Sequence, residues 1–244
     1  MEHKSPLLPA IEAHRGDSSN APENTLAAFR AAIDLKAPWI ELDVHPTRDG
    51  ALVVIHDDTI ERTTGASGAV SDLSLAEIQK LDAGSWFSQR FTGEHIPQLA
   101  EVFEMVAPTA TRLNIEIKAA PEGLDVSHGV VDLLRRYQKE REYVVSSFDL
   151  PALLQVQALA PEVPLAILGW GPDLLVQARE YHFPWIHGFF ATMDSDTVAQ
   201  AHASGIGVNV WTVDDPETLA SWRVMGVDKI CTNCPALMLA VARS

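Results

Sequence analysis

A (β/α)₈ barrel is the fold class this sequence predicts, on three observations. Short apolar runs alternate with longer helical patterns along almost the whole chain. Eight helical patterns accompany at least eight strand-like runs, and 244 residues are close to the roughly 250 that such a barrel needs. Alternation of this length implies parallel strands with helices outside. A doubly wound open sheet is the runner-up. No G-x-G-x-x-G follows the first run, so a dinucleotide crevice has no support.

The elements follow in order. The apolar run Ile11–Ala13 is the first strand, and Thr25–Leu35 the first helix. Trp39–Val44 and Ala51–His56 are strand runs. From Asp58 to Pro97 the rhythm breaks, with Gly65, Gly68, Gly84 and Gly93. Forty residues are too many for a structureless loop in a compact domain, so 58–97 reads as a small inserted cap subdomain after the second strand region. The alternation then resumes with helix Leu99–Val106, strand Arg112–Lys118, helix Leu124–Tyr137, strand Tyr143–Ser146 and helix Leu150–Ala160. It continues through strand Leu165–Leu168, helix Asp173–Tyr181, strand Trp185–Phe189 and helix Ser195–Ala203. Strand Gly207–Thr212, helix Pro216–Met225, strand Asp228–Thr232 and helix Pro235–Val241 close the series. No linker or repeat divides the chain, so residues 1–244 read as one domain.

Composition narrows the function. Lys and Arg number 18 against 33 acidic residues, a formal charge of −15. Nonspecific nucleic-acid binding and stable association with anionic membranes are both disfavoured. A small anionic substrate is compatible only with a local positive centre. Met1–Ile11 has no long apolar stretch, and no run of eighteen apolar residues occurs, so a cytoplasmic location is expected. Cys231 and Cys234 have C-x-x-C spacing but no second pair, and read as two small residues near a strand end.

The chemistry lies in polar residues at strand positions of period two. In Trp39–Val44, Ile40, Leu42 and Val44 share one face, and Glu41 and Asp43 the other. In Arg112–Lys118, Asn114, Glu116 and Lys118 oppose Leu113, Ile115 and Ile117. With the apolar faces against the helices, Glu41, Asp43 and Glu116 point into the barrel near its C-terminal rim, where active sites of this fold sit. One lysine does not balance three acids, but a hard divalent cation does, and without a zinc-type Cys/His set one Mg²⁺ or Ca²⁺ ion is favoured. His14 and His56 end strands at the same mouth and suit a general acid–base pair. His45 would share the face of Glu41 and Asp43 if the strand continued, but Pro46 is expected to end it. Arg15 and Lys118 are placed to hold an anion beside the metal. Trp211 points inward with Asn209, as barrel filling or as a substrate wall.

These residues fall into ordered motifs: His14-Arg15-Gly16, Pro22-Glu23-Asn24-Thr25, Glu41-Leu42-Asp43-Val44, Thr47-Arg48-Asp49-Gly50 and His56-Asp57. Arg62-Thr63-Thr64, the run from Leu81 to Phe87, Asn114-Ile115-Glu116-Ile117-Lys118, Ser146-Ser147-Phe148 and Trp211-Thr212-Val213 extend them. In these the chain resembles the glycerophosphodiester phosphodiesterase family from about Ala13 to Pro235. The resemblance implies a TIM barrel and metal-dependent hydrolysis of glycerophosphodiesters to sn-glycerol 3-phosphate and an alcohol. It implies Glu41, Asp43 and Glu116 as metal ligands, His14 and His56 as acid and base, and Arg15 and Lys118 as phosphate contacts. Glu23 and Asn24 are then supporting residues. It also implies the neighbouring glycerol hydroxyl as internal nucleophile, through a cyclic phosphate that water opens. Two motifs depart from the family: Pro97-Gln98-Leu99-Ala100 stands for Pro-Thr-Leu-Glu, and Thr232-Asn233 for Thr-Asp before Pro235. A lysophospholipase D on the same fold is a second reading, with Trp86, Phe87, Phe91 and Trp211 as an acyl trough. A non-catalytic phosphodiester-binding barrel is a third.

Overall fold

The computed structural model describes residues 8–243. Most of the N-terminal stretch Met1–Ile11 read above, up to Leu7, therefore lies outside the described residues. The strands are β1 (Ala10–Ala13), β2 (Trp39–Pro46), β3 (Leu52–Val54), β4 (Arg112–Ile117), β5 (Val144–Ser147), β6 (Leu165–Gly169), β7 (Trp185–Phe189), β8 (Gly207–Trp211) and β9 (Lys229–Thr232). The helices are α1 (Leu26–Asp34), α2 (Glu61–Thr64), α3 (Leu75–Ile78), α4 (Leu99–Val106), α5 (Val126–Tyr137), α6 (Leu150–Leu159), α7 (Asp173–Glu180), α8 (Ser195–Ala203), α9 (Leu219–Met225) and α10 (Pro235–Arg243).

Eight strands run parallel in the order β1-β2-β4-β5-β6-β7-β8-β9, and β9 pairs with β1 to close a TIM barrel. Strand β3 stands outside this ring. It pairs antiparallel with β2, setting Val44 opposite Val54 and Pro46 opposite Leu52. The apolar run at 51–56 is thus the second arm of a hairpin, a distinction its pattern does not carry.

The barrel follows from the alternation. Ile40, Leu42 and Val44 join the core between strands and helices with Leu113, Ile115 and Ile117, all essentially buried. The helices begin where capping is available: Thr25 Oγ1 accepts the Ala28 N–H, and Asp125 and Asp194 accept from His128 and Thr197. Inside the barrel, Trp39 and Trp185 fill the N-terminal end with Val144 and Ala166. Above them Lys229 lies 4.3 Å from the Trp39 ring centre and 4.9 Å from that of Trp185, and pairs with Glu12 at 2.8 Å. Asn114 and Asn209 donate to the other Glu12 oxygen. This paired polar layer satisfies the buried charges and floors the mouth above it.

Residues 58–97 carry α2, α3 and two 3₁₀ turns. They share a small apolar cluster with β3, built from Val53, Ile55, Ile60, Val70, Ile78, Ala83 and Ile96. Among the described residues no helix is long and apolar enough to cross a membrane.

Candidate active site

The C-terminal ends of the strands open into a cavity of about 280 Å³. His14, Arg15, Glu41, His56, Glu116, Lys118 and Trp211 all line it. Parallel register sets Asp43 beside Glu116 on β2 and β4. One oxygen each of Glu41, Asp43 and Glu116 lies within 4.8 Å of the other two. All three are buried, at 4%, 1% and 7% exposure, so their charges lack the solvent that would separate them.

The cations answer only part of that charge. Lys118 Nζ contacts Asp43 Oδ1 at 2.8 Å and also reaches Glu116 Oε1. Arg15 Nε lies 3.3 Å from Asp43 Oδ2, and Asn24 donates to the same oxygen at 2.8 Å. Burial alone would raise the Asp43 pKa, but Lys118 and Arg15 outweigh it and hold the carboxyl well below its usual range. Burial and then the charge of Asp43 push Glu116 up to about 7. Burial, Asp43 and Glu116 drive Glu41 well above its usual value. Glu41 Oε1 is buried with no hydrogen-bond partner among the described residues. An orphaned oxygen beside two further carboxylates fits a hard divalent cation.

The turn after β1 brings in both His14 and Arg15. Arg15 has φ +56°, in the left-handed region, and its backbone N–H donates to Glu41 Oε2 at 3.0 Å. Gly16 follows at φ +84°, where a Cβ would sit 2.6 Å from the Ala28 carbonyl carbon; glycine alone allows this approach to α1. Glu23 Oε1 accepts from Arg15 Nη1 at 2.7 Å, and Glu23 also binds Arg62. Burial would lower the Arg15 pKa, but Asp43, Glu23 and Glu41 together raise it.

Both histidines line the cavity, and each has its Nδ1 engaged by a neighbouring side chain, which leaves Nε2 for proton transfer. His14 Nδ1 lies 2.6 Å from Asn233 Oδ1. The Asn233 amide nitrogen and backbone N–H both donate to Asp214, at 2.7 Å each, so the amide oxygen faces His14 and His14 Nδ1 is the donor. Ser18 Oγ donates to the same oxygen at 3.2 Å. Burial, then Arg15, lowers the His14 pKa to about 4. His56 Nδ1 donates to Asp57 Oδ1 at 2.7 Å, and Arg62 holds Asp57 from its other side. Burial also lowers the His56 pKa.

The sequence pattern did not single out Asn233, Asp57 or Arg62 for these roles. Asn233 is one of the two motif departures, and it sits directly behind His14. Strand β2 continues to Pro46, past the expected stop, yet His45 joins no carboxylate. Its Nε2 donates to the His56 carbonyl at 3.1 Å, supporting the loop that carries His56. Trp211 donates its ring N–H to the His187 carbonyl at 2.9 Å while lining the cavity. The other three aromatics of the expected trough do not line it: Trp86 and Phe87, and Phe87 and Phe91, pack edge to face within the 58–97 segment. Two aromatics not assigned from sequence, Phe148 and Trp170, line it instead. Cys231 and Cys234 are free thiols; Cys231 is buried in the cavity lining.

A parallel barrel with acids, bases and cations gathered at the C-terminal mouth belongs to the class of TIM-barrel enzymes. The profile of the Glycerophosphoryl diester phosphodiesterase family matches residues 14–237, and the chain belongs to that family. It is 38% identical to a glycerophosphodiester phosphodiesterase of Caldanaerobacter subterraneus subsp. tengcongensis, over 96% of this chain and 97% of that one. A glycerophosphodiester phosphodiesterase of Bacillus altitudinis is 35% identical over 92% of this chain and 94% of its own length. Among solved structures, an Oleispira antarctica phosphodiesterase in complex with the product sn-glycerol-3-phosphate superposes with a TM-score of 0.91. It is 30% identical, covering 97% of this chain and 98% of that one.

Proposed function

We propose that this enzyme hydrolyses glycerophosphodiesters to sn-glycerol 3-phosphate and an alcohol, with one divalent cation and with proton transfer by His14 and His56. The observation that carries the proposal is one cavity lined by both histidines, Arg15, Lys118 and two of three mutually close carboxylates. The sn-glycerol-3-phosphate complex of the Oleispira relative supports the choice of substrate. Glu41, Asp43 and Glu116 would hold the cation, Mg²⁺ or Ca²⁺, which when bound supplies Lewis-acid charge stabilisation.

Arg15 and Lys118 bind the phosphodiester anion, against a protein charge of −15 that otherwise repels it. One histidine Nε2 takes the proton of the glycerol hydroxyl next to the phosphate. That oxygen bonds to phosphorus, and the bond from phosphorus to the alcohol oxygen breaks. The second histidine protonates the departing oxygen, and water then opens the cyclic phosphate with the roles reversed. Glu23 braces Arg15, and Asn24 donates to Asp43 and helps to orient its carboxylate.

We read residues 58–97 as a cap that acts through Arg62, which fixes Asp57 behind His56 and clamps Glu23. It supplies no acid, base or metal ligand in this scheme. The test is a panel of glycerophosphodiesters and a lysophospholipid, incubated with magnesium-loaded protein, with glycerol 3-phosphate quantified. Release from the diesters is expected. Release of choline from lysophosphatidylcholine alone would replace the proposal with the lysophospholipase D reading.

A further inference from the structure

The cavity has a second wall that the acid–base scheme leaves unused. Phe148 follows β5, Trp170 follows β6 and Trp211 ends β8. Their ring centres lie 5.2 Å apart for Phe148 and Trp170, 5.6 Å for Phe148 and Trp211, and 6.1 Å for Trp170 and Trp211. The first pair is tilted by 32° and the other two meet at 87° and 69°, so the rings form a corner rather than a flat platform. Phe148 is 43% exposed and Trp170 60%, apolar area left to water at the mouth of a site. From residue 146 to 212 the cavity lining contains no Lys, Arg, Asp or Glu.

We infer that this corner receives the alcohol arm of the substrate and selects one that ends in a quaternary ammonium group. The inference rests on the proposed function. With the phosphate at Arg15 and Lys118, the glycerol arm must stay with the histidines, because its hydroxyl is the nucleophile. The other arm then leaves toward β5–β8. Aromatic rings attract a cation through the ring quadrupole, and Trp170 and Phe148 leave area exposed for one to rest against. A quaternary ammonium has no N–H to satisfy, so it enters an apolar corner without losing hydrogen bonds. A primary ammonium loses them, since the rings offer no acceptor. The wall carries no cation to repel the headgroup.

Two measurements test this. In the first, kcat/KM is compared for glycerophosphocholine and glycerophosphoethanolamine, in wild type and in Trp170→Ala and Trp170→Phe. The choline diester is expected to lead by about tenfold or more. That ratio should collapse toward one in Trp170→Ala and largely return in Trp170→Phe. A wild-type ratio near one, or a ratio indifferent to Trp170→Ala, overturns the inference while leaving glycerophosphodiester hydrolysis intact. In the second, tryptophan fluorescence of the magnesium-loaded protein is titrated with choline, ethanolamine and 3,3-dimethylbutan-1-ol, the neutral isostere of choline. This reads the wall whether or not any diester is cleaved. Choline is expected to bind the most tightly, and to lose that lead in Trp170→Ala. Equal binding of the isostere would make the wall a plain apolar surface, and equal binding of ethanolamine would make it a reader of charge alone; either result overturns the inference.

Discussion

The two halves of the barrel mouth are built on opposite principles. On the side of β1, β2 and β4, the charged side chains hold one another in a buried network, with Glu41 Oε1 left over. Arg15 is gripped by Glu23 and Asp43, Lys118 by Asp43 and Glu116, and His14 by Asn233. On the side of β5 to β8, Phe148 and Trp170 pack against each other and Trp211 and stay largely exposed. Fixed charges in a dry setting lose little to reorganisation when charge moves in a reaction. Exposed rings cost little to change and act on whatever leaves the reacting centre. Disruption on the first side should therefore remove turnover, and on the second side should alter preference.

The largest expected effect is removal of the cation. Protein treated with a chelator, and verified metal-free by elemental analysis, should lose turnover and regain it with Mg²⁺ or Ca²⁺. Glu41→Ala should weaken metal binding and activity together. Full activity of metal-free protein would turn the three acids into a charge network around Lys118 and Arg15.

Next come the histidines. His14→Ala and His56→Ala should each lower kcat by roughly 10²–10⁴ with unchanged circular dichroism, the range of a lost proton transfer. Near wild-type turnover in either variant would take that residue out of the mechanism.

Asn233→Ala should cost less, roughly 10–100-fold in kcat with KM little changed, because it loosens the ring of His14 without touching substrate. Asn233→Asp keeps an acceptor for His14 but sets a carboxylate against Asp214, to which the Asn233 amide donates at 2.7 Å, so most of the rate should return only in the double variant Asn233→Asp, Asp214→Asn. A rise in KM instead, with no rescue by the double variant, would show that Asn233 serves the substrate site and not the histidine.

The smallest effect is on stability. Glu116 is raised in the folded protein to about 7, against an unfolded value near ~4.5. Between those values the folded state keeps a proton that the unfolded chain releases. The Glu116 contribution to the stability of the metal-free protein is therefore present below that window and lost as pH rises through it, while His14 and His56, lowered by burial, act in the opposite sense. From pH 5 to 7.5 the melting temperature of metal-free wild type should therefore fall relative to that of Glu116→Gln. Equal slopes would mean that Glu116 does not carry the excess charge of the acidic half.

Much of the acidic half is legible because its signal is local. Strand period two in 39–44 and 112–118 assigns Glu41, Asp43 and Glu116 to the inner face before any partner is known. The same reasoning found the strand at β3 but not its antiparallel place, since an apolar run looks alike in a parallel strand and in a hairpin arm. It also passed over Trp170, because a single aromatic after a strand has no pattern until Phe148 and Trp211 stand beside it.

The sequence by itself determined the alternation, the apolar outer faces, the inward acids and the strand-end histidines, all consequences of backbone geometry within a few residues. Tertiary structure alone decided which of these meet. His14 finds Asn233 across 219 positions, and Glu12 finds Lys229 across 217, because β9 closes on β1. Register between β2 and β4 sets Asp43 beside Glu116; a slip of one residue would turn one of them outward. Closure and register are properties of the whole ring of strands, fixed by packing the apolar faces against the helices, and no single segment encodes them.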